Sequence, residues 1–188
     1  MKEKLLLVGA GGFGRIAMEH AVREYDCFFI DDCYPDKKES CGIPLIGKIS
    51  DLLLLFETYK KLVVVIGNTR LRETIYQNAK KIGYEFPNII ATSAYISPFA
   101  SVGNGCVILN NVVIQNAARI GNGVLLNSGV EIHHDSVIGD NTLIYSNSVV
   151  RTYARIGKRV QIGSTTSISV NATVGDDEII PDGSVREP

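Results

Sequence analysis

Residues 114–149 read IQNAAR-IGNGVL-LNSGVE-IHHDSV-IGDNTL-IYSNSV, and this six-residue repeat decides the fold of the C-terminal half of the chain. The repeat runs without interruption from residue 90 to residue 179, which makes fifteen hexads. The first residue of every hexad is Ile, Val or Leu, and the fifth is small in all but the last. With roughly a quarter of residues aliphatic, fifteen such positions in succession arise by chance about once in a billion. The repeat is therefore a structural signal.

A fixed hexad period predicts a parallel β-helix, a solenoid in which each coil packs on its neighbours. The aliphatic first residue and the small fifth residue of each hexad point inward and stack on those of the coils above and below. Glycine at the second position, with Asn or Asp beside it, suits the corners between strands. An amphipathic helix is excluded, because its apolar residues would recur at a period of about 3.6.

The residues before the repeat alternate apolar strands with helical segments, which predicts a parallel sheet with right-handed crossovers. The predicted elements are the strands Lys4–Val8, Cys27–Ile30 and Leu62–Ile66 and the helices Arg15–Glu24, Ser50–Tyr59 and Leu71–Ile82. The sequence therefore predicts two domains, an α/β domain over residues 1–88 and an all-β parallel β-helix over residues 89–188.

The first predicted strand is followed by Gly9-x-Gly11-x-x-Gly14, the glycine pattern that lets a backbone approach a pyrophosphate at a helix N-terminus. Asp31 and Asp32 end the second strand, where acids that contact a ribose lie in dinucleotide-binding domains. Only about 85 residues precede the repeat, enough for one mononucleotide-binding half. This length disfavours an NAD enzyme and favours a nucleotide diphosphate ligand. A tight strand–helix turn without a ligand is the alternative.

Composition excludes several classes of function. The net charge is −1, from 19 basic and 20 acidic residues, which gives no support for nucleic-acid binding or electrostatic attachment to a membrane. We expect no signal peptide, because the apolar run after Lys4 is short, and no segment approaches the roughly 20 apolar residues that span a bilayer. The four cysteines form no C-x-x-C pair, so we expect free thiols and a cytoplasmic location.

A half-Rossmann domain followed by hexapeptide repeats resembles the nucleotide-sugar acetyltransferases of the hexapeptide-repeat acyltransferases. That family includes sialic acid O-acetyltransferases and N-acetyltransferases of UDP-4-amino sugars. The resemblance covers essentially the whole chain and includes Gly9–Gly14, Ile30-Asp31-Asp32, Ile66-Gly67-Asn68-x-Arg70, Ile96-Ser97-Pro98 and His134-Asp135. It implies a left-handed, triangular β-helix with three hexads per coil. It also implies a homotrimer whose active sites lie in the grooves between β-helices.

The resemblance also implies the binding residues. The nucleotide sugar, expected to be a UDP-amino sugar, would be bound by Gly9, Gly11, Gly12, Phe13, Gly14, Asp31, Asp32, Gly67, Asn68 and Arg70. Acetyl-CoA would be bound by Asn127, Gly163 and Ser164. Arg70 also has a rationale of its own as a phosphate partner, although a solvated cation at the end of a helix is the alternative.

The chain has three histidines, and two of them occupy the second and third positions of one hexad, as His133 and His134. Neither position faces the aliphatic core, so from the sequence alone an idle surface pair is the competing interpretation. In the resembled enzymes a His followed by Asp or Glu and then Val-Ile-Gly carries the general base. The resemblance therefore implies that His134 is the base, and Asp135 or a carboxylate from a neighbouring subunit is expected to orient it. Two adjacent histidines do not supply three convergent ligands, so no metal site is predicted.

The sequence departs from the resembled enzymes on the side of the acetyl donor. Leu143 stands where those enzymes usually carry a second His, and Thr152 replaces a common Gly. The last residues do not match the usual Gly-Asn-Pro-Ala-Lys ending. We expect an acetyl-CoA-dependent acetyltransferase acting on the amino group of a UDP-linked amino sugar for surface-glycan synthesis. A sialic acid O-acetyltransferase and a catalytically weak relative that binds a nucleotide sugar are the alternatives.

Overall fold

The computed structural model describes residues 2–188 and divides into two compact units, Met1–Ile89 and Ile90–Pro188. The strands of the first unit are β1 (Glu3–Val8), β2 (Tyr25–Ile30), β3 (Glu39–Ser40), β4 (Ile43–Pro44) and β5 (Lys61–Val64). Its helices are α1 (Gly12–Ala21), α2 (Leu52–Leu55) and α3 (Thr69–Ile82), with a 3₁₀ turn over Ile49–Asp51. Strands β2, β1 and β5 form a parallel sheet in that order, and β3 pairs with β4 as an antiparallel hairpin.

The helix expected over Ser50–Tyr59 is much shorter than predicted, because α2 is a single turn. Leu52 is 5% exposed, whereas Leu53 and Leu54 are 72% and 80% exposed. A helical turn with only one buried side chain gains little from packing, and short helices depend on packing for their stability.

The second unit consists of two-residue strands separated by tight corners. They are β6 (Ile89–Ile90), β7 (Tyr95–Ile96), β8 (Ser101–Val102), β9 (Val107–Ile108), β10 (Val113–Ile114), β11 (Arg119–Ile120), β12 (Leu125–Leu126), β13 (Glu131–Ile132), β14 (Val137–Ile138), β15 (Leu143–Ile144), β16 (Val149–Val150), β17 (Arg155–Ile156), β18 (Gln161–Ile162), β19 (Ser167–Ile168), β20 (Thr173–Val174), β21 (Ile179–Ile180) and β22 (Val185–Arg186).

These strands make three parallel sheets, and consecutive strands belong to different sheets. The first sheet holds β7, β10, β13, β16, β19 and β22, the second β8, β11, β14, β17 and β20, and the third β6, β9, β12, β15, β18 and β21. Ile132 pairs with Val150, so one coil takes three hexads and places every eighteenth residue directly above its predecessor. The fold is a left-handed parallel β-helix: the hexad period predicted the parallel β-helix, and the family resemblance implied its hand and its three hexads per coil.

The interior of the β-helix is a continuous stack of first-position aliphatic side chains, most of them fully buried, such as Ile132 and Ile144. The fifth positions include buried hydroxyl groups, and each donates a hydrogen bond to a backbone carbonyl. Ser136 Oγ donates to Arg151 at 3.0 Å and Ser148 Oγ donates to Gly163 at 2.7 Å. Small polar residues are therefore accepted in this core because their hydroxyl groups are satisfied.

We expected glycine at the second position of a hexad because the corners need backbone freedom. The structure gives a different reason. None of these glycines has a positive φ angle; the positive φ falls on fourth-position residues instead, such as Asn141 and Asp135. A Cβ atom on Gly121 would lie 2.7 Å from the backbone nitrogen of Asp140, one coil further on. Close contact with the backbone of the next coil therefore excludes a side chain at every second-position glycine except Gly175, whose neighbour is the Glu178 side chain.

Candidate active site

His134 and Asp135 lie at the corner that follows β13, and their side chains are hydrogen-bonded to each other. His134 Nδ1 is 2.8 Å from Asp135 Oδ2, and the two side chains are 48% and 42% exposed. Asp135 adopts a φ of 62°, and its N–H donates to the carbonyl of Asn116 at 3.1 Å. The left-handed conformation at this fourth position is thus part of what aims the carboxylate at the ring.

Neighbouring coils hold His134 from both sides. On one side, the backbone N–H of His134 donates to Gln115 Oε1 at 3.1 Å. On the other side, Thr152 Oγ1 is 3.2 Å from His134 Nε2, and the Tyr153 ring meets the imidazole edge to face at 5.9 Å between centroids. These contacts have no local signal in the sequence, although the coil period points to Thr152, eighteen residues after His134.

This arrangement fixes the chemistry available to the imidazole. An ionised Asp135 accepts hydrogen bonds only, so Nδ1 carries the proton when His134 is neutral. The lone pair then lies on Nε2, on a side chain that is half exposed. A neutral imidazole oriented by a carboxylate is a general base, because the carboxylate also stabilises the imidazolium that forms.

His133 has a different environment. Its Nε2 lies 3.5 Å from Glu131 Oε2, and its backbone N–H belongs to the ladder that joins neighbouring coils, donating to the Val150 carbonyl at 2.9 Å. The contact with Glu131 is longer than a hydrogen bond requires, and the side chain is only 27% exposed. His133 therefore lacks the close carboxylate that distinguishes His134.

The three residues expected to bind acetyl-CoA lie at another corner of the β-helix. Asn127 follows β12 and Gly163 follows β18, so both sit where strands of the third sheet end, with Ser164 next to them. The Ser164 N–H donates to Asp182 Oδ1 at 2.6 Å. His134 follows a strand of the first sheet instead. One chain thus places the expected donor-site residues on the same edge, two coils apart, and leaves them at a different edge from His134.

In the first unit, the glycine loop between β1 and α1 is shaped by close backbone contacts. Gly9 has a φ of 111°, and a Cβ atom on Gly14 would lie 1.9 Å from the Gly9 carbonyl oxygen. A Cβ on Gly11 would meet nothing within 4 Å. Helix α1 begins at Gly12 and has neither a side-chain cap nor an acidic residue in its first turn, and Phe13 is half-buried. The N–H groups at this helix N-terminus suit a phosphate ligand.

Asp31 lies at the end of β2 and holds the glycine loop in place. Its Oδ2 accepts the Ala10 N–H at 2.8 Å, and its Oδ1 accepts the Cys33 N–H at 3.0 Å. Partial burial of Asp31 raises its pKa, but these backbone hydrogen bonds outweigh that effect and hold the pKa below its ordinary value. Asp32 Oδ1 accepts the Ile49 N–H at 3.1 Å. Both carboxylates therefore organise the loops of this edge of the sheet.

The segment after β5 completes the same edge. Gly67 precedes Asn68, which caps α3 by accepting the Leu71 N–H at 3.0 Å through its Oδ1. Arg70 is exposed. The arginine that sequence reasoning missed is Arg72, which is fully buried and donates from Nη1 to the Ile66 carbonyl at 2.6 Å. The glycine loop, the two aspartates and this segment each follow one of three adjacent parallel strands. Ligands bind at this edge in α/β sheets.

Lys37 is a further cation beside the glycine loop that the sequence analysis did not single out. Its Nζ lies 3.4 Å from Ser40 Oγ, and that buried hydroxyl group is 3.3 Å from the Ala10 carbonyl. The same lysine contributes to the lowered pKa of Asp31. It is exposed and can therefore approach an anionic ligand at the loop.

Two general properties of residues 2–188 bear on the site. No group of three or more His, Cys, Asp or Glu side chains in this range converges as a metal site would require. None of the helices in this range is long and apolar enough to cross a membrane.

Comparison with known proteins identifies both units. The PglD N-terminal domain family matches residues 4–79, and the GMPPB C-terminal domain family matches residues 87–187. The acetyltransferase domain of PglB from Neisseria gonorrhoeae is 29% identical, with a TM-score of 0.93 over 99% of this chain and 92% of that one. The same domain in complex with acetyl coenzyme A is 26% identical, with a TM-score of 0.73 over 98% of this chain and 96% of that one.

A third structure shares the fold at lower identity. It is a histidine-to-alanine mutant of GDP-perosamine N-acetyltransferase from Caulobacter crescentus, in complex with CoA and GDP-perosamine. It is 24% identical, with a TM-score of 0.64 over 97% of this chain and 92% of that one. The two family matches and the two structures of the PglB acetyltransferase domain confirm the resemblance seen in the sequence. The chain belongs to the nucleotide-sugar acetyltransferases of the hexapeptide-repeat acyltransferase family.

Proposed function

We propose that this acetyltransferase moves the acetyl group of acetyl-CoA to the amino group of a nucleotide-linked amino sugar, with UDP as the nucleotide. The observation that carries this proposal is the His134–Asp135 pair, a half-exposed imidazole with its Nδ1 2.8 Å from a carboxylate. His134 acts as the general base, and Asp135 orients the ring and stabilises the imidazolium.

The reaction is a direct transfer. The neutral amine attacks the thioester carbonyl while Nε2 of His134 removes its proton, and the tetrahedral intermediate then expels the CoA thiolate. The thiolate takes up a proton from solvent, and the imidazolium returns its proton to solvent. The backbone N–H groups of Thr152 and Tyr153 donate to no acceptor within residues 2–188. The side chains of both residues contact the imidazole, and we propose that their N–H groups stabilise the oxyanion.

An acyl-enzyme intermediate is not required by this site. Cys106, the one cysteine of the β-helix unit, is buried, and its Sγ lies 3.1 Å from the Gly121 carbonyl. A thiol held in this way in the core cannot reach a substrate. The hydroxyl group next to Nε2 of His134 belongs to Thr152. No serine hydroxyl contacts this nitrogen within residues 2–188.

The first unit is proposed to bind the nucleotide sugar at the carboxyl edge of its sheet. The N–H groups at the start of α1 bind the diphosphate, and Lys37 and Arg70 supply the positive charge that the loop itself lacks. A cytoplasmic location is proposed, because both co-substrates would be available there.

A homotrimer is proposed because the expected acetyl-CoA residues and the base lie at different edges of one β-helix. In a cyclic trimer, the edge with Asn127 and Gly163 of one copy would face the edge with His134 of the next. Mixing His134→Asn and Asn127→Ala subunits tests this arrangement, since about a quarter of the sites in an equal mixture regain both residues. If both variants are inactive alone and the mixture stays inactive after their subunits have exchanged, the active site is not shared between subunits.

The function is tested first by calorimetric titration with acetyl-CoA, with and without UDP. Binding in the micromolar range, about −8 kcal/mol, is expected despite Leu143 and Thr152. Transfer is then assayed as release of free thiol with UDP-4-amino sugars, GDP-4-amino sugars and sialic acid as acceptors. Absence of acetyl-CoA binding by folded protein would refute the proposal, and acetylation of sialic acid alone would replace it with the O-acetyltransferase alternative.

A further inference from the structure

Thr152 contacts the one atom of His134 that performs the proposed chemistry. It lies one coil beyond His134, and its Oγ1 is 3.2 Å from His134 Nε2. In the sequence this residue stood out only as a departure from the resembled enzymes, which commonly carry glycine there. Glycine at this position could not make the contact, because it has no side chain with which to reach the imidazole.

The direction of this hydrogen bond follows from the other nitrogen of the ring. Nδ1 lies 2.8 Å from the Asp135 carboxylate and therefore carries the proton in the neutral ring. Nε2 is then an acceptor, so the Thr152 hydroxyl group donates to it. Once Nε2 is protonated, the same hydroxyl group can turn and accept from it. A threonine or serine can thus be the partner of Nε2 in both protonation states, which valine, alanine and glycine cannot.

Thr152 is itself held in place by the corner. Its carbonyl accepts the Asn171 N–H at 3.1 Å from the following coil, and the Ala154 N–H closes the turn on the Arg151 carbonyl at 3.1 Å. The side chain is partly buried, and β-branching restricts its χ1 angle. A hydroxyl group on such a support has a defined position relative to the ring, unlike one on a mobile loop.

We propose that Thr152 is a positioning residue for His134, a role that rests on the proposed function of His134 as the base. Together with Asp135 it fixes the plane of the imidazole, and its hydroxyl group occupies the Nε2 lone pair until the amine arrives. The amine then takes the place of the hydroxyl group on Nε2. After the product leaves, the hydroxyl group accepts the N–H of the imidazolium while the base is regenerated.

The structural half of this proposal is tested on the unliganded protein, without any turnover. Long-range ¹H–¹⁵N NMR spectra at pH 8.5, where imidazoles are neutral, report the state of each ring nitrogen, and only three histidines need assignment. A pyridine-type nitrogen moves downfield when it loses a hydrogen bond. We expect the Nε2 resonance of His134 to move downfield in Thr152→Val and to return in Thr152→Ser. Thr173→Val, on the exposed strand β20, is the matched control.

The functional half is tested by steady-state kinetics on the same variants. Loss of one neutral hydrogen bond that orients the base is expected to lower kcat/KM about five- to tenfold in Thr152→Val. Thr152→Ser should stay within about twofold of the wild type. An unchanged Nε2 resonance in Thr152→Val, or a shifted resonance with unchanged kcat/KM, would overturn the positioning role. Full activity in His134→Asn would instead refute the proposed base, whatever the spectra show.

Discussion

Replacing Asp135 with Asn is the change whose consequence follows most directly from the geometry of the site. The substitution keeps the size of the side chain and removes the charge that faces Nδ1 at 2.8 Å. A hydrogen bond to a charged partner contributes about 1.5–3 kcal/mol. Because the Asp135 side chain is 42% exposed, solvent screening reduces this to about 1.4 kcal/mol, or tenfold in rate. The asparagine amide can also donate to Nδ1, which favours the unproductive tautomer and increases the loss.

The assay is the initial rate of CoA release with a saturating nucleotide amino sugar, at constant ionic strength. Asp135→Asn is expected to lower kcat at least about tenfold, with little change in the KM for acetyl-CoA. Glu131→Gln is the matched control, because this carboxylate lies 3.5 Å from the neighbouring His133 and should contribute nothing to catalysis. Equal losses in the two variants, or no loss in Asp135→Asn, would refute the assignment of the pair.

Three further predictions concern stability and ligand binding. Gly14→Ala should destabilise the first unit and abolish nucleotide binding, since its Cβ would lie 1.9 Å from the Gly9 oxygen, whereas Gly11→Ala should leave thermal unfolding unchanged. Because the folded-state pKa of Asp31 is lowered, its stabilising contribution is complete above about pH 4 and is lost as the pH falls through the folded-state pKa. Urea titrations between pH 2 and 5, if folding persists there, should therefore show a weaker pH dependence in Asp31→Asn. Ile144→Ala, at a fully buried position, should lower the free energy of unfolding by about 2–5 kcal/mol in denaturant titrations.

The β-helix was predictable from sequence because its information is local and repeated. A single hexad carries an inward aliphatic residue, a small residue and a corner, and the period alone gives the number of residues per strand and turn. The reason for its second-position glycines was not predictable from one hexad, because the atoms that exclude a side chain belong to the next coil.

The α/β unit was predicted less completely, since its elements depend on tertiary packing. Three strands and two of the helices match the predicted segments, but α2 is a single turn because Leu53 and Leu54 find no packing partner in the unit. Arg72 lies in the predicted helix Leu71–Ile82 without any feature that marks it in the sequence, yet it is fully buried and donates to the carbonyls of Ile66 and Gly67 after β5. A buried arginine of this kind is invisible without the fold that surrounds it.

At the active site, the sequence and the family resemblance led to His134 and Asp135 but not to their partners. Gln115 and Thr152 are 19 and 18 residues away along the chain, and both touch His134 because one coil takes eighteen residues. A solenoid converts a fixed sequence separation into direct contact, so the coil length is the signal that finds such partners.

The most direct test of the account compares His134→Asn with His133→Asn in the acetyl-transfer assay. The two histidines are adjacent, but Asp135 lies 2.8 Å from His134, whereas Glu131 lies 3.5 Å from His133. If His134 is the base, its replacement lowers kcat at least about a hundredfold, while the neighbouring substitution stays within about twofold of the wild type. A His134→Asn enzyme that retains more than about a tenth of the wild-type rate would contradict the account.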